Sequence, residues 1–592
     1  MCGIFAYAGK SSNAGKIIFD GLKTLEYRGY DSWGIAVQKE NIIHIQKQTG
    51  KISDAKLSLP STSLGIGHTR WATHGGVTVD NAHPHLDCTK QIAVLHNGIV
   101  ENFQTLKNKL LKKGHVFTSE TDTEVIAHLL EEELNISRGG KTFVEAMKNT
   151  FSQLHGLNAI VALNATSQEI VAAKNGSPLL VGLTKDGYFL ASDATGIINH
   201  TKQVIFLEDN QMVSLSSTGL HLSSLPDGKE IIPTIHTLDW DFEEAQKGDY
   251  PHFFLKEIHE QPKVIENIAL TYQSQTKQLA NLIENAFGTF ILGCGTASYA
   301  ALAGVYLFSS IAKKHINFTI GSEFNYLEDY ITPKTLVIPI SQSGETIDVV
   351  EPVQKAKIKG AKIAALVNVL GSTIYRQADF KIVLGAGQEK AVVATKSFMA
   401  MFSVIFLTAY TLAKKQKTAK LLLQKASNNI KHILKDQQTQ QIKQLAQELR
   451  KKEHIYVLGR GLSYATALEA TLKIKETAYV HAEGFAGGEL KHGVIALIEQ
   501  GTPCIIFAPN DTTYEEIISN AQEVKARGGF IIGIGPRNNP VFDRFLETAD
   551  VKEATLLPQV VISQLLAYYL ALARGITDPD KPRNLAKSVT VK

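Results

Sequence analysis

The second residue of the chain is a cysteine, in the opening run Met1-Cys2-Gly3-Ile4-Phe5-Ala6-Tyr7-Ala8-Gly9. A small residue at position 2 permits removal of the initiator methionine, which leaves Cys2 with both a thiol and a free α-amine. An α-amine titrates near about 7.7–8.0, against about 10.4 for a lysine, so it accepts the thiol proton without special burial. A small buried cysteine opening a strand is the plainer alternative. Further along lie polar clusters that a hydrophobic core does not require, at 25–32, 67–75, 95–102 and 119–124. A thiolate attacking a carboxamide creates an oxyanion, and Asn97 with the backbone N–H of Gly98 supplies two donors for it. A type I′ turn is the alternative for Asn-Gly taken alone. Arg70 is suited to grip a carboxylate bidentately and Asp122 to take an ammonium, so the two together hold both ends of a free amino acid. Trp71 beside the arginine covers the site and excludes water. Arg28 and His74 read as supports.

A second constellation is Ile340-Ser341-Gln342-Ser343-Gly344-Glu345-Thr346. It follows an apolar strand at 335–340 and precedes a helix with apolar residues at Ile347, Val350, Val353 and Ile358. Three hydroxyls and an amide therefore sit where a helix start exposes unpaired N–H groups, which is an anion site. Ordinary capping needs one hydroxyl. Farther on, Lys473 precedes Glu476 by one helical turn and shares its face; a solvent-facing ion pair is the alternative reading. Gly488-Glu489-Leu490-Lys491-His492-Gly493 and the closing stretch 580–592, which contains Arg583 and Lys587, add acid–base groups.

The elements that carry these groups fall into three blocks. Residues 2–237 read as short strands (35–37, 91–95, 159–163, 204–207) with a few helices (123–134, 142–154) and no strand–helix alternation, which points to stacked antiparallel sheets. The stretch 225–262 has little periodicity and is the linker candidate; a linker and lead-in helix are assigned to 238–280. Blocks 281–435 and 436–580 resemble each other. Ile291-Leu292-Gly293-Cys294-Gly295-Thr296-Ala297-Ser298 is echoed by Val457-Leu458-Gly459-Arg460-Gly461-Leu462-Ser463-Tyr464, each opening a series of alternating strands and helices. This is a duplicated doubly wound α/β unit with a parallel sheet. The duplicate has Phe507-Ala508-Pro509-Asn510-Asp511 where the hydroxyl-rich loop would stand, so one lobe binds the anion. A tail at 581–592 closes the chain.

Composition narrows the classes. The chain has 592 residues, 44% hydrophobic and 20% charged, enough for several cores. Its 61 basic and 57 acidic residues leave a net charge of +4, too balanced for nucleic acid or an anionic membrane as main partner. Cys2, Cys88, Cys294 and Cys504 are scattered with no CxxC pair, which argues against disulfides or a thiolate zinc site and suits a cytoplasmic location. No signal peptide precedes the first strand. The longest greasy stretch, 397–413, reads as a buried helix and not a membrane span.

The first block resembles the class II glutamine amidotransferases, N-terminal nucleophile hydrolases with a four-layer αββα fold, through Cys2, Arg70, Asn97, Gly98 and Asp122. The later blocks resemble sugar isomerase domains. The whole arrangement, from Cys2 to the tail, is similar to the glucosamine-6-phosphate synthase family. That resemblance implies glutamine and fructose 6-phosphate as substrates and no metal or organic cofactor. It places Arg70, Trp71, Thr73, His74 and Asp122 around glutamine, with Thr296 or Ser298, Ser341, Gln342, Ser343 and Thr346 around the sugar phosphate. It implies that His492 opens the sugar ring from the neighbouring subunit of a homodimer. Lys587 would form a Schiff base, Glu476 move a proton between C1 and C2, and Lys473 steady the developing charge. The chain departs from the family pattern at Ala297, where serine is usual, and at Val494, where proline is usual. A stand-alone glutaminase, an amidotransferase with another acceptor and a phosphosugar sensor are the competing readings. A sensor would need the 341–346 loop but not Cys2, Glu476 and Lys587 together.

Overall fold

The computed structural model describes residues 2–72, 74–135, 141–217, 219–238 and 246–589. They form two compact units, one of residues 1–246 with 586–592 and the other of residues 247–585.

The first unit is built on two antiparallel sheets. One has eight strands, in the order His236–Thr237, Gln203–Phe206, Leu180–Thr184, Gly187–Ala191, Gly3–Gly9, Leu64–Arg70, Ser32–Lys39 and Ile42–Thr49. The other has six, ordered Leu220–Ser224, Gln211–Ser216, Glu169–Asn175, Asn158–Asn164, Ile92–Gly98 and His85–Leu86. The period-2 alternation of strand side chains sorts the residues between layers. Along Gly3–Gly9, Ile4, Ala6 and Ala8 face the second sheet, while Phe5 and Tyr7 pack with Ile18, Phe19 and Leu22 of the helix Ala14–Thr24. Along Ile92–Gly98, Ala93 and Leu95 face inward, and Ile92 and Val94 meet the helices Glu124–Asn135 and Phe143–Phe151. Helix, sheet, sheet and helix make the four layers expected.

The second unit holds two five-stranded parallel sheets of identical order, which confirms the duplication. The first runs Asn317–Ile320, Gly288–Gly293, Thr335–Ser341, Lys362–Val367, Phe380–Val383; the second runs His481–Ala486, His454–Gly459, Pro503–Phe507, Phe530–Gly535, Arg544–Glu547. Each chain enters at the second position and then reverses, so a topological switch point lies beyond the carboxyl ends of the first and third strands. In the first repeat the Cys294-Gly295-Thr296 turn and the 341–346 loop leave those two strand ends.

Two readings of the sequence need correction. Part of the stretch taken as aperiodic linker is helical: Phe253–Thr271 runs through Pro262 and buries Phe254, Ile258, Ile265 and Ile268 in the core. The proline lacks an N–H, but tertiary burial of this face outweighs the lost bond. The stretch 397–413 lies in the buried helix Lys396–Leu412, yet it is not the longest apolar run. Among the described residues the one helix long and apolar enough to cross a bilayer is Lys552–Ala573, and 83% of its apolar window is buried inside the fold. Leu556, Val560, Leu565 and Tyr568 sit in the same core as Ala465 and Ile474 of the helix Leu462–Ala478.

Candidate active sites

In the first unit the strand Gly3–Gly9 pairs with Leu64–Arg70, Gly3 opposite Thr69, which sets Cys2 beside Arg70 and Trp71. The Cys2 Sγ accepts a hydrogen bond from the Trp71 N–H at 3.2 Å. The Asn97 Nδ2 donates to the Cys2 carbonyl at 3.1 Å, and its Oδ1 meets His68 Nε2 at 3.0 Å. Asn97 and Gly98 are the last two residues of the strand Ile92–Gly98, not a hairpin turn. Gly98 has φ +141, and a Cβ there would stand 2.1 Å from the Leu157 carbonyl oxygen, so only glycine fits. Arg28 donates to the Cys2 carbonyl at 3.3 Å and pairs with Asp193 at 2.7 Å, a support from below.

Arg70 is buried, and its guanidinium donates to the carbonyls of His74, Gly75 and Gly76. Burial lowers its pKa, while the charges of Cys2, Asp31 and Asp122 act the other way, so all three lie within its electrostatic reach. The Asp122 Oδ2 accepts the Val100 N–H at 2.7 Å, and Asp31 Oδ2 accepts the Ala72 N–H at 2.9 Å. Trp71 packs edge-on against Tyr30 with centroids 5.4 Å apart, and His74 against Phe103 at 5.6 Å. Thr73 lies outside the described residues.

Sequence reasoning missed the support beneath this floor. His68, His83, His85 and His96 are all buried: His83 Nδ1 lies 3.1 Å from His68 Nδ1, Thr123 bridges His83 and His96, and His85 packs edge-on against His83 at 4.8 Å. Burial pushes His68 down to about 3, the others well below or below the ordinary histidine value, so the set is neutral near pH 7. A neutral His68 fixes the Asn97 amide. The signal available was four histidines in a stretch of short strands, but nothing in their spacing marks them as one network.

In the second unit the loop after Thr335–Ser341 is tightly bonded to itself. Ser341 Oγ accepts the Gly344 N–H at 3.0 Å and lies 3.3 Å from Thr346 Oγ1, and Ser343 Oγ accepts the Glu345 N–H at 3.1 Å. Gly344 has φ +66, with Ser372 Oγ 2.0 Å from where a Cβ would be. The Glu345 carboxylate anchors the loop by accepting from Thr373 N and Oγ1 at 2.8 and 2.7 Å. Thr346 is the residue before the helix Ile347–Ile358 and makes no side-chain capping bond, so its hydroxyl is not consumed as a cap. Gln342 is half-buried, its carbonyl accepting from Asn368 N at 3.2 Å.

Lys473 is fully buried and is no solvent-facing ion pair. Its Nζ meets Glu476 Oε2 at 2.5 Å, Glu469 Oε1 at 3.5 Å and, across the repeats, Thr296 Oγ1 at 3.1 Å. Burial pulls the Lys473 pKa down, but Glu469 and Glu476 outweigh it and leave the amine above its ordinary value. Glu469 is pushed up to about 7, by burial first. It was not singled out from the sequence, although it lies one turn before Lys473. Ser298 turns away from this group: its Oγ donates to the Gly295 carbonyl at 2.6 Å. His492 ends the 3-10 helix Gly487–His492, exposed, and shares no hydrogen bond or ion pair with Lys473 or Glu476. The tail is anchored at its start, with Asp580 accepting from Phe253 and Phe254 N–H at 2.8 and 2.7 Å and Arg583 stacked on Tyr479 at 4.3 Å. Lys587, further along, is half-buried.

Comparison with known proteins agrees with both halves. A glutamine amidotransferase domain model matches residues 68–199, and a SIS domain model matches twice, at 282–410 and 448–574. The glutamine–fructose-6-phosphate aminotransferase [isomerizing] of Pyrococcus horikoshii is 43% identical over 610 residues, and that of Thermococcus kodakarensis 42% over 607, each covering 100% of both chains. The solved C-terminal domain of glucosamine-fructose-6-phosphate aminotransferase from Francisella tularensis is 31% identical with a TM-score of 0.52 over 56% of this chain and 98% of its own. With full-length identity at this level and both kinds of domain in one polypeptide, the chain belongs to the glutamine–fructose-6-phosphate aminotransferase (isomerizing) family.

Proposed function

We propose that this chain converts fructose 6-phosphate to glucosamine 6-phosphate with release of glutamate, the entry step of hexosamine synthesis, in the cytoplasm and as a homodimer. One observation supports it above the others: a buried lysine–carboxylate group, Lys473 with Glu476, meets Thr296 at the switch point of a duplicated sugar isomerase fold, in a chain that opens with a nucleophile-type Cys2. Its parts are an amidotransferase domain at 2–237, a linker at 238–280, isomerase domains at 281–435 and 436–580, and an active-site tail at 581–592.

The residues take these roles. With Met1 removed, the α-amine of Cys2 takes the thiol proton and the thiolate attacks the glutamine carboxamide. Asn97 and the Gly98 N–H stabilise the oxyanion, worth about 2.7–4 kcal/mol for each such donor. Arg70, Trp71, Thr73, His74 and Asp122 hold the amino acid. The adduct collapses to a thioester and expels ammonia, which carries away the proton held by the α-amine; water then hydrolyses the thioester, releasing glutamate and freeing the thiol. At the sugar site Ser341, Gln342, Ser343 and Thr346 hold the phosphate, with Thr296. The partner subunit's His492 opens the ring. Lys587 condenses with the C2 carbonyl, releasing water; ammonia adds and displaces the lysine. Glu476 takes a proton from C1 and returns it to C2, on one face, giving the amino-aldose. Lys473 stabilises the charge that develops.

The test is product analysis of the full chain with glutamine and fructose 6-phosphate. Equal amounts of glucosamine 6-phosphate and glutamate support the assignment. Glutamate alone would make the chain a glutaminase, and binding of the sugar phosphate without turnover a sensor.

A further inference from the structure

Outside the six-stranded sheet, four side chains distant in sequence converge. Cys88 lies in the turn between the strands His85–Leu86 and Ile92–Gly98, and His115 just past the helix Phe103–Lys112. His128 and Glu131 stand one turn apart on the helix Glu124–Asn135. One donor atom from each lies within 4.8 Å of all the others. We propose that Cys88, His115, His128 and Glu131 form a structural zinc site.

Five of the six separations match the edges of a tetrahedron, and the sixth, from Cys88 Sγ to Glu131, is within 4.8 Å. With Zn–S about 2.3 Å and Zn–N or Zn–O about 2.0–2.1 Å, the edges of a tetrahedral site are about 3.6 Å from sulfur to nitrogen and about 3.3 Å between the lighter atoms. Cys88 Sγ stands 3.6 Å from His115 Nδ1 and 3.5 Å from His128 Nδ1. The two Nδ1 atoms are 3.3 Å apart, and Glu131 Oε2 is 3.1 and 3.4 Å from them.

The orientation of the rings supports the same conclusion. His115 turns its Nε2 to Glu132 at 2.9 Å; the His128 Nε2 faces Glu124 at 3.7 Å, an electrostatic contact beyond hydrogen-bonding distance. A ring protonated on Nε2 directs its Nδ1 lone pair at the cluster, the carboxylate–histidine–metal arrangement. Two such lone pairs, a thiolate and a carboxylate aimed at one point repel one another unless a cation sits among them. A divalent ion is neutralised by the two anionic ligands, and a mixed S, N and O donor set in tetrahedral array selects zinc. The Val116 N–H donates to Cys88 Sγ at 3.4 Å. His115, His128 and Glu131 are buried, whereas Cys88 is exposed and opens a path for the ion. The scattered cysteines gave no such signal in the sequence, because three of the four ligands are not cysteines and the spacings follow the fold. The ion would clamp a strand turn, a helix end and the helix whose lead-in carries Asp122.

The experiment uses the full chain without a tag, expressed with zinc supplied, and elemental analysis. We expect one zinc per chain, lost to background in Cys88→Ser and in His128→Asn but retained in Cys2→Ala. The wild-type chain reconstituted with cobalt(II) should show tetrahedral visible bands and a sulfur-to-cobalt charge-transfer band, a readout that needs no variant to fold. Wild type that takes up neither zinc nor cobalt in stoichiometric amount overturns the site. So does a cobalt spectrum without thiolate ligation, or a folded Cys88→Ser that keeps its zinc.

Discussion

Lys473 of one sugar isomerase repeat reaches Thr296 of the other, Nζ to Oγ1 at 3.1 Å, while the same ammonium pairs with Glu476 at 2.5 Å. The duplicated halves therefore meet at a charged group, where a core would use an apolar one. A buried cation that loses its role leaves its partners uncompensated, so Lys473→Met should destabilise the chain by ~3–5 kcal/mol. Adding Glu469→Gln should recover part of that loss, since the two residues are coupled. Thermal unfolding of the single and double variants measures this, and strictly additive effects would contradict the coupling.

The same contact sets up a comparison of the two hydroxyls that the sequence left open. Thr296→Val should raise KM for fructose 6-phosphate or lower kcat, because Thr296 Oγ1 faces the charged group. Ser298→Ala should leave both unchanged, its hydroxyl being spent on the Gly295 carbonyl. Steady-state kinetics of the two variants decides.

In the 341–346 loop, Ser343→Ala or Thr346→Ala should raise KM for fructose 6-phosphate by tenfold or more. Each hydroxyl is assigned a charge-assisted bond to phosphate of roughly 1.5–3 kcal/mol. Glutamine hydrolysis without sugar should hold steady. A normal KM in both variants reduces the loop to a helix start.

At the other site, Cys2→Ala should abolish glutamine use while the sugar half still isomerises fructose 6-phosphate or aminates it slowly from supplied ammonia. Asn97→Ala should lower glutaminase kcat by about 10²–10³. Intact mass should show Met1 removed from active enzyme; a fully active enzyme that keeps it contradicts the role of the α-amine.

The buried histidines give a pH dependence of known sign. Their folded pKa values lie below the ordinary value near 6.5, with His68 at about 3. Between those values the unfolded chain binds more protons than the folded one, so stability rises with pH there. Their contribution is complete above about pH 6.5 and is lost as pH falls, by at most ~1.4 kcal/mol per pH unit for a histidine such as His68 that lies well between its two values. The melting temperature should fall steadily on acidification, and His96→Gln should flatten that slope. A melting temperature constant from about pH 7.5 to about pH 5.5 would contradict a neutral network.

How much of this was legible in the sequence depended on locality. The strands around Ile35, Ile160 and Ile338 follow from apolar runs a few residues long, and the repeat from two matching strand–turn–helix openings. Cys2, Asn97, Ser343 and Lys473 could be singled out because they sit in short motifs of polar residues. Glu469 was hidden, since a glutamate on a helix reads as solvent-facing until the packing of Leu462–Ala478 buries it. The His68–His83–His96 network and the Cys88–His115–His128–Glu131 cluster were hidden for the same reason: their members are joined by sheet pairing and helix placement, not by spacing. The end of the stretch 225–262 was read as linker because its periodicity is weak, whereas the core draws it into the helix Phe253–Thr271, within the range assigned to a linker and lead-in helix.

The central claim is that glutamine nitrogen released by Cys2 becomes the amine of the sugar product. The full chain should be given glutamine labelled with heavy nitrogen at its amide, fructose 6-phosphate and excess unlabelled ammonium. Mass spectrometry should find the label in glucosamine 6-phosphate, in an amount equal to the glutamate formed. Unlabelled product, or labelled ammonium accumulating with no amino sugar, would contradict the account.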